Sequence, residues 1–178
     1  MHSDSQQDIA RWPDALFQVF REQRIAQVAY VPDAGHARLI ELCRAEPTMR
    51  AVVLTTEEEG IALLAGAWLG GQRGALLMQS SGVGNCINML ATIEECRFPL
   101  LTLITMRGQW GEFNPWQVPM GRGTPAALEN AGVMVYPADD AARVTETVQA
   151  AAQIAFNTSR AAAVLIGQRV IGYKNWSR

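Results

Sequence analysis

Lysine is almost missing: Lys174 is the only one among 15 basic side chains, and the others are arginines. A Schiff-base mechanism or a phosphate-gripping P-loop needs a lysine set among its motif residues, so both classes fall away. Histidine is nearly as scarce, with His2 in a polar leader and His36 as the single internal copy. The three cysteines, Cys43, Cys86 and Cys96, form no CxxC pair. Neither a zinc cage nor a disulfide framework is supported, and the cysteines read as buried packing residues in a reducing compartment. No GxGxxG spacing occurs, which removes a Rossmann dehydrogenase. The 15 basic and 17 acidic side chains leave a net charge of -2, so no broad cationic face exists for nucleic-acid phosphates or an anionic membrane. The uncharged run Gly60 to Gln72 is too short and too glycine-rich to span a bilayer. The opening MHSDSQQDI lacks the charged and apolar regions of a signal peptide, so a cytoplasmic protein is expected.

What remains is a chain of 178 residues, 49% hydrophobic, which suits one domain with one sizeable core. Residues 1–10 read as a flexible leader and residues 11–178 as the domain. Short aliphatic runs alternate with amphipathic stretches, the pattern of parallel strands joined by crossover helices. Strands are predicted at Ala26–Val31, Ala51–Thr55, Gly74–Gln79, Leu100–Thr105, Val133–Tyr136 and Ala162–Ile166. Helices are predicted at Asp14–Gln23, His36–Arg44, Glu57–Leu69, Gly84–Cys96, Pro125–Asn130 and Asp140–Asn157. Largely apolar runs such as AVVLT and LLTLIT suit strands covered on both faces. The expected architecture is an α/β three-layer sandwich around a mostly parallel sheet of about six strands. The segment Arg107–Thr124 is long for a loop and carries Trp110, Phe113 and Trp116, so it is expected to fold over a site or against a partner.

Ligands in open α/β sheets collect beyond the carboxyl ends of the strands, which directs attention to the residues after each strand. Glu57, Glu58 and Glu59 open a helix, where acids commonly cap amides and complement the dipole. At about 100° per residue, only Glu57 shares the stripe of Ile61, Leu64, Ala65 and Trp68. A carboxylate on an apolar face loses hydration, which suits it to exchange a proton with a ligand group. The turn Gln79, Ser80, Ser81, Gly82, Val83, Gly84 and Asn85 offers hydroxyls, amides and close backbone approach before a helix N-terminus. The same glycines could simply make a tight turn. His36, after a strand end, is either a structural hydrogen-bonding residue or a proton donor. Arg107 and Arg122 bracket the aromatic segment as possible contacts for an anionic substrate.

Taken in order, VPDAGHARLIEL (31–42), TEEEGIALLAGAWLGGQRGALLMQSSGVGNCINML (56–90), FPLLTLITMRG (98–108) and PMGRGT (119–124) carry a resemblance. The sequence resembles the pyrimidine-binding domain of thiamin-diphosphate enzymes, most closely the sulfopyruvate and phosphonopyruvate decarboxylases, over Ala26 to Ile166. The resemblance implies a thiamin-diphosphate-binding fold and places the family glutamate nine residues before Gly66, at Glu57. That glutamate would hydrogen-bond the coenzyme's aminopyrimidine and promote its imino tautomer. It also implies coenzyme contacts from Gln79, Ser81, Gly82, Val83, Gly84 and Asn85, with Ser80 standing where the family has asparagine. Ala34 stands near a position where some relatives carry an acid or serine, so a proton-relay role would pass to His36 or to the partner. Substrate contacts would come from His36, Ser80, Arg107 and Arg122. The family's GDG motif, which binds diphosphate and Mg2+, occurs nowhere in the chain. The resemblance therefore implies a beta subunit that brings the diphosphate half and the metal ligands, in a hetero-oligomer converting a small 2-oxo acid to an aldehyde and carbon dioxide. Alternatives are a carboligase or lyase using the same coenzyme, a non-catalytic assembly module of the same fold, or a flavodoxin-like mononucleotide binder.

Overall fold

Six apolar runs become the strands of one sheet in the computed structural model, which describes residues 2–172. Met1, Lys174 and the end of the expected domain at 178 lie outside the described residues. The strands are β1 (Ile25–Tyr30), β2 (Arg50–Val53), β3 (Arg73–Gln79), β4 (Leu100–Thr105), β5 (Met134–Ala138) and β6 (Ala161–Ile166). They lie in the order β2-β1-β3-β4-β6-β5, and every pair is parallel. Strands β4 and β6 are buried along their whole length, as largely aliphatic runs require when helices cover both faces. Pro137 falls in β5, an edge strand, where a missing ladder donor is tolerated.

The helices are α1 (His2–Glu22), α2 (Ala37–Ala45), α3 (Glu57–Leu69), α4 (Val83–Cys96), α5 (Gln117–Asn130), α6 (Ala141–Thr158) and α7 (Gln168–Ile171). One face of the sheet packs against α1, α2 and α6 through Leu16, Phe20, Leu39, Val144 and Phe156. The other packs against α3, α4 and α5 through Ile61, Leu64, Leu90, Ile93 and Leu128. The three-layer α/β sandwich is thus as the sequence predicts.

Several expectations are corrected. The backbone of residues 2–10, expected as a leader, belongs to α1. The irregular segment stops at Trp116, because α5 begins at Gln117 and not near Pro125. Gly121 and Gly123 lower helix propensity there, yet Gly121 is the point where the Arg107 carbonyl comes too close to admit a Cβ. The short α7 was not foreseen. Cys43 and Cys86 are buried, and burial pushes both thiols up to about 12, but Cys96 is exposed.

The chain leaves β1 toward β2 on one side and returns to β3 on the other. At such a switch point the connections diverge and leave a crevice at the carboxyl edge, beside Asp33 and Gln79.

Candidate active site

Helix α3 begins at Glu57, and its first turn sorts the three acids by geometry. Glu59 Oε2 accepts from the Thr55 amide at 2.9 Å, and Glu58 Oε2 accepts from Thr56 Oγ1 at 2.9 Å. Both therefore serve the helix start. Glu57 instead faces inward with Gly60, Ile61 and Leu64 and is only 8% exposed. Asn85 Nδ2, from the first turn of α4, donates to its Oε2 at 2.8 Å. Gly82 lies against the same carboxylate so closely that a Cβ would collide with Oε1.

The acid forms a wall of an open cleft of about 480 Å³ lined by Glu57, Ser81, Gly82, Asn85, Trp116, Pro119 and Met120. Four predicted residues meet here, and the far wall comes from the aromatic segment and the first turn of α5. Glu112 anchors that segment. Its carboxylate accepts from Arg107 Nε and Nη2, each at 2.6 Å, and from the amides of Gly108 and Asn114. The Arg107 guanidinium is the leading reason the Glu112 carboxyl is held down at about 2. Gln168 Nε2 adds a further bond to Glu112, while its Oε1 accepts from the amides of Gln109 and Trp110.

Other predicted residues are placed elsewhere. Ser80 is fully buried, its Oγ accepts from the Arg107 amide at 3.1 Å and its carbonyl accepts from Thr124 Oγ1. Val83 is packed in the core, and a Cβ at Gly84 would reach Met120 at ordinary contact distance. His36 is turned inward by the short 3₁₀ turn Ala34–His36 and is fully buried, with Nε2 3.1 Å from the Leu103 carbonyl. Burial is the main influence on its imidazole and lowers its pKa, against opposing pulls from Asp33 and nearby carbonyls. It does not line the Glu57 cleft. Arg107, neutralised by Glu112, borders a cavity of about 180 Å³ with Asp33, Gln79, Phe113 and Gln168. Arg122 is exposed and borders a separate cavity of about 560 Å³ with Trp110, Asp139 and Arg169.

Asp33 is the polar residue that sequence reasoning passed over. Its carboxylate accepts from Gln79 Nε2 at 3.1 Å and from Thr105 Oγ1, and Gln79 Oε1 accepts from Ser81 Oγ at 3.1 Å. Its position straight after β1, on the edge already singled out, was the available signal.

A parallel α/β sandwich with a ligand crevice at its switch point and an inward-facing acid at a helix start defines a class of small-molecule-binding domain. Its relatives make the class specific. The alpha subunit of sulfopyruvate decarboxylase from Methanothermobacter thermautotrophicus is 33% identical over 154 residues, covering 86% of this chain and 93% of that one. The same subunit from Methanococcus maripaludis is 29% identical over 154 residues. The chain belongs to this family of sulfopyruvate decarboxylase alpha subunits. Phosphonopyruvate decarboxylase from Streptomyces viridochromogenes is 37% identical over 107 residues, and the match spans only 27% of that longer protein. No protein-family model matches the chain. Among solved structures, a 2-oxoglutarate:ferredoxin oxidoreductase from Magnetococcus marinus superposes with a TM-score of 0.75 at 14% identity, covering 90% of this chain and 29% of the other. That likeness establishes the shared fold.

Proposed function

We propose that the chain is the pyrimidine-binding alpha subunit of a heteromeric, thiamin-diphosphate-dependent 2-oxo acid decarboxylase. Its substrate is of the sulfopyruvate or phosphonopyruvate type, and its products are an aldehyde and carbon dioxide. The carrying observation is the Glu57 carboxylate, buried at the wall of an open cleft, held by Asn85 and left room only by Gly82.

These residues fit the aminopyrimidine end of the coenzyme. Glu57 Oε2 is engaged by Asn85, so Oε1 is the atom that would share a proton with a ring nitrogen. Asn85 holds the acid in place, and the missing Cβ at Gly82 keeps the carboxylate against the turn. Trp116, Pro119 and Met120 narrow the cleft. Ser81 supplies its polar edge and donates to Gln79 behind it, while Ser80, Val83 and Gly84 shape the turn. Bound thiamin diphosphate would supply the electron sink that lets the carboxylate leave as carbon dioxide. The diphosphate and its Mg2+ fall to a beta subunit bearing GDG, because this sequence has no such motif. The assembly is cytoplasmic, and no helix among the described residues is long and apolar enough to cross a membrane.

The test is reconstitution of the purified chain with its partner subunit, thiamin diphosphate and Mg2+, following aldehyde and carbon dioxide from sulfopyruvate and phosphonopyruvate. Turnover that requires both subunits is expected. An assembled complex that binds no thiamin diphosphate by calorimetry would overturn the proposal.

A further inference from the structure

An ionised carboxylate accepts hydrogen bonds and donates none, so whatever group faces it must be a donor. Asp33 sits at the switch point between β1 and β3, where it meets the Gln79 side-chain amide at 3.1 Å. The Gln79 NH2 must therefore face Asp33, which leaves Gln79 Oε1 facing Ser81. An amide oxygen only accepts, so the Ser81 hydroxyl must give its one proton to Gln79, and the two are 3.1 Å apart. Ser81 Oγ then offers only lone pairs to the Glu57 cleft that it lines.

The carboxylate is itself well braced. Its second oxygen is taken by the hydroxyl of fully buried Thr105, from β4. Gly35 permits that contact, since a Cβ there would lie 2.7 Å from Thr105 Cγ2. One acid, just after β1, thus ties together the last residues of β3 and β4 and fixes the direction of two hydrogen bonds that end at the cleft.

We propose that Asp33 is a positioning residue: it orients the Gln79 amide and thereby makes Ser81 an obligate acceptor toward the cleft, which selects a ligand presenting N–H donors there. Together with the acceptor Oε1 of Glu57, this polarity suits an amino-bearing heterocycle and disfavours an anionic group at the same wall. The ligand assignment rests on the coenzyme reading above, whereas the Asp33 to Ser81 polarity does not.

Two measurements separate these. In the full-length chain, nuclear magnetic resonance of the Gln79 side-chain amide reads the orientation without any ligand. Asp33→Asn, which removes the donor requirement at almost constant shape, is expected to move the Gln79 NH2 resonances and speed their exchange, whereas Ser81→Ala leaves their exchange protected. Unchanged NH2 exchange in Asp33→Asn would overturn the orientation, whatever the chain binds. In the assembled complex, calorimetry with thiamin diphosphate and Mg2+ reads the consequence. Asp33→Asn is expected to raise Kd about tenfold, the size of one lost hydrogen bond, and to have no effect in a Ser81→Ala background. Equal losses in both backgrounds, or none in either, would overturn the selection role. Absence of coenzyme binding in every variant would instead defeat the coenzyme reading and the ligand assignment, leaving the polarity to be judged by the amide signal alone.

Discussion

Two single residues carry opposite lessons. Gly82 matters for the space it leaves, since its backbone (φ -70°, ψ -21°) is open to any residue while its missing Cβ admits the Glu57 carboxylate. Gly82→Ala should therefore fold with little change in unfolding temperature yet displace the acid and lower turnover by something on the order of 10²-fold. Assay of the assembled complex beside thermal unfolding of the chain checks both halves, and undiminished turnover would contradict the placement. His36, in contrast, acts through burial. Its folded pKa is depressed below 6.5, so the unfolded chain binds more protons in the window beneath that value. Stability is then complete above pH 6.5 and falls as pH drops through it, by at most about 1.4 kcal/mol per pH unit, until the folded imidazole also protonates. Denaturant melts between pH 5 and 7 should show this slope in the native chain and lose it in His36→Gln. An identical slope in the variant would assign the pH effect to another group.

At the scale of elements, the Arg107–Glu112 pair works as a clasp that presents Trp116 to the cleft. Both side chains are largely shielded, at 19% and 4% exposure, so removing one charge strands the other. Glu112→Gln should cost about 2 kcal/mol and expose residues 107–116 to proteases, which limited digestion will report. The clasp is complete above about pH 4.5 and is lost as pH falls toward 2, because the folded carboxyl binds its proton later than the unfolded one. Little of this was legible beforehand. The strands could be read because buried parallel strands are mostly aliphatic runs free of charge, and β4 matches its predicted limits. Glu57 could be read because helical geometry alone separates it from its two neighbours. The start of α5 could not, because Pro119, Gly121 and Gly123 argue locally against the helix that tertiary contact imposes. Asp33 stayed hidden for a different reason: its partners come from β3 and β4, and only the strand order brings them together.

For the whole molecule, the proposed function makes the cleft one half of a site. Trp116 stands 81% exposed at the rim beside the buried Glu57, and the motif for diphosphate is missing from the sequence. An aromatic side chain left wet beside a site is the kind of surface that a partner covers. The family membership supplies the same expectation, since the relatives are themselves alpha subunits. The central claim is that Glu57 of this chain shares a proton with a coenzyme anchored by another polypeptide. The most direct measurement is the rate of hydrogen–deuterium exchange at the thiazolium carbon of thiamin diphosphate bound to the assembled complex, native against Glu57→Gln. The account predicts that Glu57→Gln slows exchange by at least about 10²-fold while the coenzyme remains bound. Equal exchange rates in the two complexes would contradict it.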